Sequence, residues 1–241
     1  MFPQRQRDAA PLPPVYGGVL IGGGSTRMGT PKHLLRAGER TFLEHVVAAL
    51  EPCVSRLVLL GSGEVPDQCR HLTRLPDPPG LAGPLAGMLA AMRWNRDVAW
   101  LIAACDLPLV TSDAIAWLLE QRAPVRVAVL PRLWEGEAPG EPLPREGEAP
   151  AEPDVAAGPR TGRTGPPRAT PEVDMSTANV EPLLALYEPQ ARQLLEELAA
   201  TGSHAPHRIA SHESVFTPTP PAELALAWQN VNTPADLEGL R

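Results

Sequence analysis

Cysteine is scarce: three among 241 residues, Cys53, Cys69 and Cys105. They are widely spaced and odd in number, which speaks against a disulfide framework or a paired metal site and fits reduced thiols in a cytoplasmic protein. No stretch reaches the roughly 18 apolar residues of a membrane span. Met1–Pro14 carries two arginines but no apolar run behind them, so it reads as a short loose leader rather than a secretory signal. An excess of one charge is also missing from most of the chain. The formal net charge is −7, but the stretch 135–175 holds nine acids against four arginines, which leaves only −2 for everything else. Such a balance gives no basis for binding nucleic acid or an anionic membrane.

Proline, by contrast, is abundant: 30 residues, nine of them within 135–175 together with six glycines and hardly any large aliphatic side chain. A near-repeat runs through it, Glu135-Gly-Glu-Ala-Pro-Gly-Glu-Pro142 recurring as Glu146-Gly-Glu-Ala-Pro-Ala-Glu-Pro153. A segment of this composition buries too little apolar surface to offset its ordering entropy. It reads as a disordered insertion in a surface loop; the other reading is an accessible proline-rich docking segment.

Around it, apolar runs alternate with helical patterns, as in an α/β fold whose mostly parallel sheet is covered by helices, a Rossmann-like three-layer sandwich. The length suits one such domain, residues 15–241, interrupted at about 135–175. Val15–Ile21 reads as the first strand. Thr41 and Glu44 form a capping box opening a helix with Phe42, Leu43, Val46, Val47 and Leu50 on one face. Further strands are expected at Arg56–Leu60, Trp100–Ala104, Val125–Leu130 and Leu183–Tyr187, the second of these fully buried because it is apolar without alternation. Helices are expected at Leu85–Trp94, from a Ser112 or Asp113 cap to about Glu120, at Pro189–Ala200 closed by Gly202, and near Pro234.

Leu20-Ile-Gly-Gly-Gly-Ser-Thr-Arg-Met-Gly-Thr-Pro-Lys32 leaves the first strand with four glycines and two cations in thirteen residues. Glycines let backbone N–H groups close on phosphate oxygens, and Arg27 and Lys32 can neutralise the charge. A P-loop is excluded, because Thr30 stands where that motif needs lysine. The dinucleotide fingerprint fails as well, because Arg27 stands where its third glycine belongs. The Gly-Gly-x-Ser-x-Arg-Met-Gly-x-x-Lys pattern that remains resembles the signature of the molybdenum cofactor guanylyltransferase family. Gly83-Pro84-Leu85-Ala86-Gly87, Cys105-Asp106-Leu107-Pro108 and Asn230-Val-Asn-Thr-Pro-Ala-Asp236 resemble its later motifs, in the same order.

The resemblance implies a nucleotide-diphospho-sugar transferase type of fold and transfer of GMP from GTP to the terminal phosphate of molybdenum-molybdopterin. Leu20, Ile21, Gly22, Gly23, Arg27 and Lys32 would meet the nucleotide, with Asp77 beside it. Asp106, at the C-terminal end of a buried strand where such sheets bind ligands, would carry Mg²⁺. Gly83, Asn232 and Asp236 would lie on the second substrate's side, although Asn232 is equally an ordinary helix cap. It further implies transient contact with molybdoenzymes or their chaperones. CTP in place of GTP, another phosphorylated acceptor, and a non-catalytic nucleotide-binding module are the alternatives. Cys105, alternating with Asp106, reads as core. His204, His207 and His212 match metal ligands by type, but they sit in an irregular polar stretch that favours a surface or supporting role.

Overall fold

A computed structural model describes residues 11–22, 31–133, 179–231 and 236. Gly23, Arg27, Asn232, the segment 135–175 and most of the helix expected near Pro234 lie outside the described residues. The strands within them are β1 (Val15–Leu20), β2 (Arg36–Ala37), β3 (Arg40–Thr41), β4 (Arg56–Leu60), β5 (Thr73–Leu75), β6 (Ala99–Ala104), β7 (Ala128–Val129), β8 (Ala185–Tyr187) and β9 (Val215–Phe216). The helices are α1 (Phe42–Leu50), α2 (Pro84–Trp94), α3 (Ser112–Glu120) and α4 (Ala191–Ala200), with short 3-10 turns between. β2 and β3 form a small antiparallel hairpin. The other seven strands make one sheet in the order β5-β4-β1-β6-β8-β7-β9. All neighbours run parallel except β8, which is antiparallel to both β6 and β7.

Strand periodicity separates the two faces. Leu101 and Ala103 of β6 face one side with Leu57 and Leu59 of β4, while Trp100 and Ile102 face the other with Val58 and Leu60. α1 and α3 cover the first face through Leu43, Val46, Leu50, Ile115 and Leu118. α2 and α4 cover the second through Leu85, Leu89, Met92 and Leu195. The result is the expected Rossmann-like three-layer sandwich with a mostly parallel sheet. Every residue of β6 is buried, as its unbroken apolar run leads one to expect. No described helix is long and apolar enough to cross a membrane.

The capping box at α1 is present: the Thr41 hydroxyl accepts from the Glu44 N–H, and the Glu44 carboxylate accepts from the Thr41 N–H at 2.6 Å. Other boundaries need correction. The N-cap of α3 is Thr111, whose extended backbone lets Oγ1 accept from the Ala114 N–H, while Ser112 donates to the Ala49 carbonyl instead. The strand expected over Val125–Leu130 shrinks to Ala128–Val129, and Val125 is 80% exposed. The chain turns there through a hydrogen bond from the Arg126 N–H to the Ala123 carbonyl. β8 starts only at Ala185, because Leu184 takes a positive φ of 77°. α4 starts at Ala191, and Gly202 follows it at φ 78°.

The chain ahead of β1 is tied down at its end. The Pro14 carbonyl accepts from the Ala99 N–H at 2.9 Å, and the Pro13 carbonyl accepts from Arg122 Nη2 at 2.9 Å. Arg122 also makes a two-point ion pair with Glu188, at 2.6 and 2.9 Å, where both side chains are at most one-tenth exposed.

Candidate functional site

Strand order reverses at β1: the chain moves outward through β4 and β5, then returns to place β6 on the other side of β1. α1 and α2 lie on opposite faces, so a crevice opens at the C-terminal ends of β1 and β6, the place where open α/β sheets bind ligands. A cavity of about 410 Å³ occupies it, a volume in the range of small-molecule sites. Its floor is the three strand ends: Leu20–Gly22 after β1, Leu60 and Ser62 after β4, and Ala104–Asp106 after β6. Pro31–His33 lie across it, Asp77 and Gly83–Pro84 close the side toward α2, and Leu183 closes the side toward β8.

Backbone contacts fix these ends together. The Ile21 N–H donates to the Leu60 carbonyl at 2.8 Å, and the Cys105 N–H to the Leu20 carbonyl at 3.2 Å. Gly61, at φ 107°, has no room for a side chain: a Cβ there would stand 2.2 Å from the Ile21 carbonyl oxygen. Gly22, at φ 95°, approaches the Ser62 carbonyl in the same way, with a Cβ falling 3.1 Å from it. Gly22, the one glycine of the first motif among the described residues, thus serves close backbone approach, as Gly61 does after β4.

Two charged side chains meet inside. Lys32, in a 3-10 turn formed by Lys32–Leu34, places Nζ 3.2 Å from Asp106 Oδ2, and each side chain is 21% exposed. Asp106 leaves the end of β6, and its carbonyl accepts from the Val231 N–H at 3.0 Å, so the C-terminal part of the chain braces it. Asp77 is exposed overall, but desolvation of its carboxyl against the cavity wall holds it above the usual aspartate value. Cys105 lies in the core as expected and also touches the cavity; burial first, then the Asp106 charge, push its thiol up to about 12. A thiol so disfavoured as thiolate is no nucleophile at neutral pH.

Leu20, Ile21, Gly22, Lys32, Asp77, Gly83 and Asp106, which the sequence nominates from three separated segments, therefore line one cavity. Asp236 is half-buried and does not line it. His204 and His212 are exposed and His207 is half-buried. Among the described residues no group of three or more His, Cys, Asp or Glu is arranged to hold a metal.

Two features escape the sequence reading. His33 is 2% exposed, lines the cavity and bonds through Nε2 to the Glu64 carbonyl at 2.7 Å. Glu181 has its carboxyl pushed up to about 7, by burial first and by the Asp106 charge as well, while a hydrogen bond from the Leu183 N–H opposes the shift. The strained Leu184 just beyond it is fully buried. Its N–H donates to the Ile102 carbonyl at 2.8 Å, and its carbonyl accepts from the Trp228 indole at 2.9 Å. Surroundings that fix a residue so firmly can sustain a left-handed conformation costing on the order of 1–3 kcal/mol. An acid set between Val180 and Pro182-Leu-Leu was the available signal for Glu181; nothing in the sequence separated His33 from its neighbours.

A probable molybdenum cofactor guanylyltransferase of Bacillus mycoides is 34% identical over 120 residues, 48% of this chain and 60% of that protein. One of Pelotomaculum thermopropionicum is 31% identical over 113 residues, 47% of this chain and 55% of that protein. The chain thus spans roughly three-fifths of the length of the curated relatives it matches. The crystal structure of molybdopterin-guanine dinucleotide biosynthesis protein A from Archaeoglobus fulgidus has a TM-score of 0.60 at 20% identity, covering 93% of this chain and 95% of that one. The 2-C-methyl-D-erythritol 4-phosphate cytidylyltransferase of Thermus thermophilus has a TM-score of 0.57 at 19% identity, covering 92% and 94%. These likenesses show a fold of the nucleotide-diphospho-sugar transferase type. The family model described as "MobA-like NTP transferase domain" matches residues 17–215, and the chain belongs to that family.

Proposed function

We propose that this nucleotidyltransferase moves GMP from GTP to the terminal phosphate of molybdenum-molybdopterin, with release of pyrophosphate. The observation that carries the reading is the Lys32–Asp106 pair, a cation and a carboxylate 3.2 Å apart in the crevice at the β1 and β6 ends. The names of the Bacillus and Pelotomaculum relatives supply the acceptor and the base.

In this reading the nucleotide lies along Leu20, Ile21, Gly22 and Gly23, with Asp77 on the nucleoside. Lys32 and Arg27 neutralise the phosphates, and Gly83 faces the acceptor, with Asn232 and with Asp236, which stands off the cavity lining, as the further candidates on that side. Asp106 suits Mg²⁺ by donor chemistry: a hard oxygen, partly exposed, beside a cavity that admits phosphate and water oxygens to complete an octahedron. The bound cation would supply charge neutralisation at the α-phosphate. An oxygen of the acceptor phosphate forms a bond to the α-phosphorus while the bond to the β-phosphate bridging oxygen breaks. The acceptor is already ionised, so no protein base is needed, and the work of the chain is alignment and electrostatics. Lys32 and Arg27 meet the charge that gathers on the leaving pyrophosphate. The three free thiols suit a reducing, cytosolic setting for this chemistry.

The test is pyrophosphate release by the full chain with Mg²⁺ and molybdenum-loaded molybdopterin, GTP and CTP side by side. Release with GTP alone is expected. Release with CTP alone would correct the base, and release with neither would overturn the reading. Asp106→Ala is expected to lower turnover by at least a hundredfold while leaving the melting temperature within a few degrees, and a variant of near-normal rate would remove Asp106 from the cation site.

A further inference from the structure

The turn Lys32–Leu34 sends two consecutive side chains to opposite walls. Lys32 reaches Asp106 at the end of β6, whereas His33 reaches past Ser62 to the Glu64 carbonyl beyond β4. The His33 ring is 98% shielded and lies flush against Gly63, where a Cβ would make ordinary contact with Cε1 at 3.6 Å. A carbonyl oxygen only accepts, so Nε2 carries the hydrogen of that 2.7 Å bond. The tautomer is thereby fixed: in the neutral ring Nδ1 bears a lone pair and no proton. No described group donates to Nδ1, yet among the described residues no buried polar side-chain atom is left without either a partner or access to solvent. His33 is among the residues that line the cavity, which is the space its remaining exposure can meet.

We propose that His33 is a nucleoside-binding residue, whose Nδ1 accepts a hydrogen bond from a ribose hydroxyl or from the exocyclic amino group of the base. The proposal rests on the nucleotide reading of the cavity and deepens it. For the neutral ring a phosphate is a poor partner, because its oxygens only accept and would face a lone pair. Phosphates belong at Lys32 and Asp106, on the far wall. The Ser62–Glu64 side, where His33 points, is left for the neutral, donor-bearing part of the ligand. The bond to Glu64 also removes the ring's rotational freedom in advance, so the acceptor is oriented before a ligand arrives.

Two replacements separate the two nitrogens. In His33→Gln the amide nitrogen can still donate to the Glu64 carbonyl while the acceptor at Nδ1 is lost. In His33→Asn an oxygen stands near the Nδ1 position while the bond to Glu64 is lost. Binding of GTP, 2′-deoxy-GTP, 3′-deoxy-GTP and ITP to the full chain with Mg²⁺ would be measured by calorimetry, with thermal melts of each variant. His33→Gln is expected to melt like the wild type and to bind GTP about tenfold more weakly. His33→Asn is expected to melt lower and yet bind GTP more tightly than His33→Gln. One analogue should lose about tenfold on the wild type and nothing more on His33→Gln, which identifies the donor. Equal GTP affinity of wild type and His33→Gln would overturn the proposal, as would analogue losses that are the same on both proteins. A wild type that binds no nucleoside triphosphate at all would overturn the nucleotide reading, and the role of His33 with it.

Discussion

Replacing Glu181 by glutamine should stabilise the protein, and only above acidic pH. Burial raises this carboxyl, the Asp106 charge adds to it, and the hydrogen bond from the Leu183 N–H offsets part, leaving a value of about 7 against an ordinary 4.5. The folded state therefore keeps the proton over a range in which the unfolded chain has lost it. Stability from this group is full below about 4.5 and is lost as the pH rises through about 7. Each unit is worth about 1.4 kcal/mol, so the gap sets a ceiling of about 3 kcal/mol. Glu181 is not wholly enclosed and solvent screens part of the penalty, so about 1–2 kcal/mol is the expected loss between pH 5 and pH 8. Glutamine retains a carbonyl oxygen for the Leu183 N–H and cannot ionise. In thermal melts its advantage should be near zero at pH 5 and amount to several degrees at pH 8, on a scale of about 2–4 °C per kcal/mol for a domain of this size. An advantage that is the same at both pH values, or a glutamine variant less stable at pH 8, would refute the desolvation argument.

The Arg122–Glu188 pair gives a second expectation. Arg122→Ala leaves the 4% exposed Glu188 without its cation and frees the Pro13 carbonyl, so a loss of about 3–5 kcal/mol in urea unfolding is expected. The double replacement Arg122→Met with Glu188→Leu should recover most of it, because no charge is then buried. Gly87→Ala tests the cavity wall. Alanine favours a helix by about 1 kcal/mol over glycine, but its Cβ would stand 2.4 Å from Leu20 Cδ2 and 3.2 Å from Leu60 Cβ. Leu20 must then shift against the cavity, so the KM for the nucleotide should rise several-fold while the melting temperature changes little.

The parts of the fold that were legible in the sequence are those decided by local pattern. The capping box at Thr41 and the buried run at Ala99–Ala104 each carry a local physical reason, and both appear in place. What was illegible depends on partners distant in sequence. β5 and β9 are three and two residues long and exist only because β4 and β7 offer free edges. At α3, Thr111, Ser112 and Asp113 can all cap a helix, and the choice falls to Thr111 because Ser112 is engaged by Ala49 of α1. The site divides in the same way. Lys32, Asp77, Gly83 and Asp106 belong to motifs and were nominated together, whereas Glu181 owes its raised carboxyl first to burial and then to the charge of Asp106, 75 residues away, and His33 is held by Glu64, 31 residues away.

The placement of Lys32 and His33 on one short turn links the two halves of the cavity. Lys32 is paired with Asp106 in the structure as it stands, so these two charges of the cavity lining largely offset each other. A polyphosphate approaching alone would gain from the lysine and lose to the carboxylate. If Asp106 holds a cation, as proposed above, that opposition would become attraction, because the carboxylate would be taken up by the cation and Lys32 would be left to the phosphates. Throughout such an exchange the turn stays anchored through the Glu64 carbonyl, the Leu34 N–H bonded to Pro31 and the Phe42 N–H bonded to Leu35. The lysine can then change partners by side-chain rotation alone, which keeps the β4 wall, and any nucleoside held on it, in register with the phosphates.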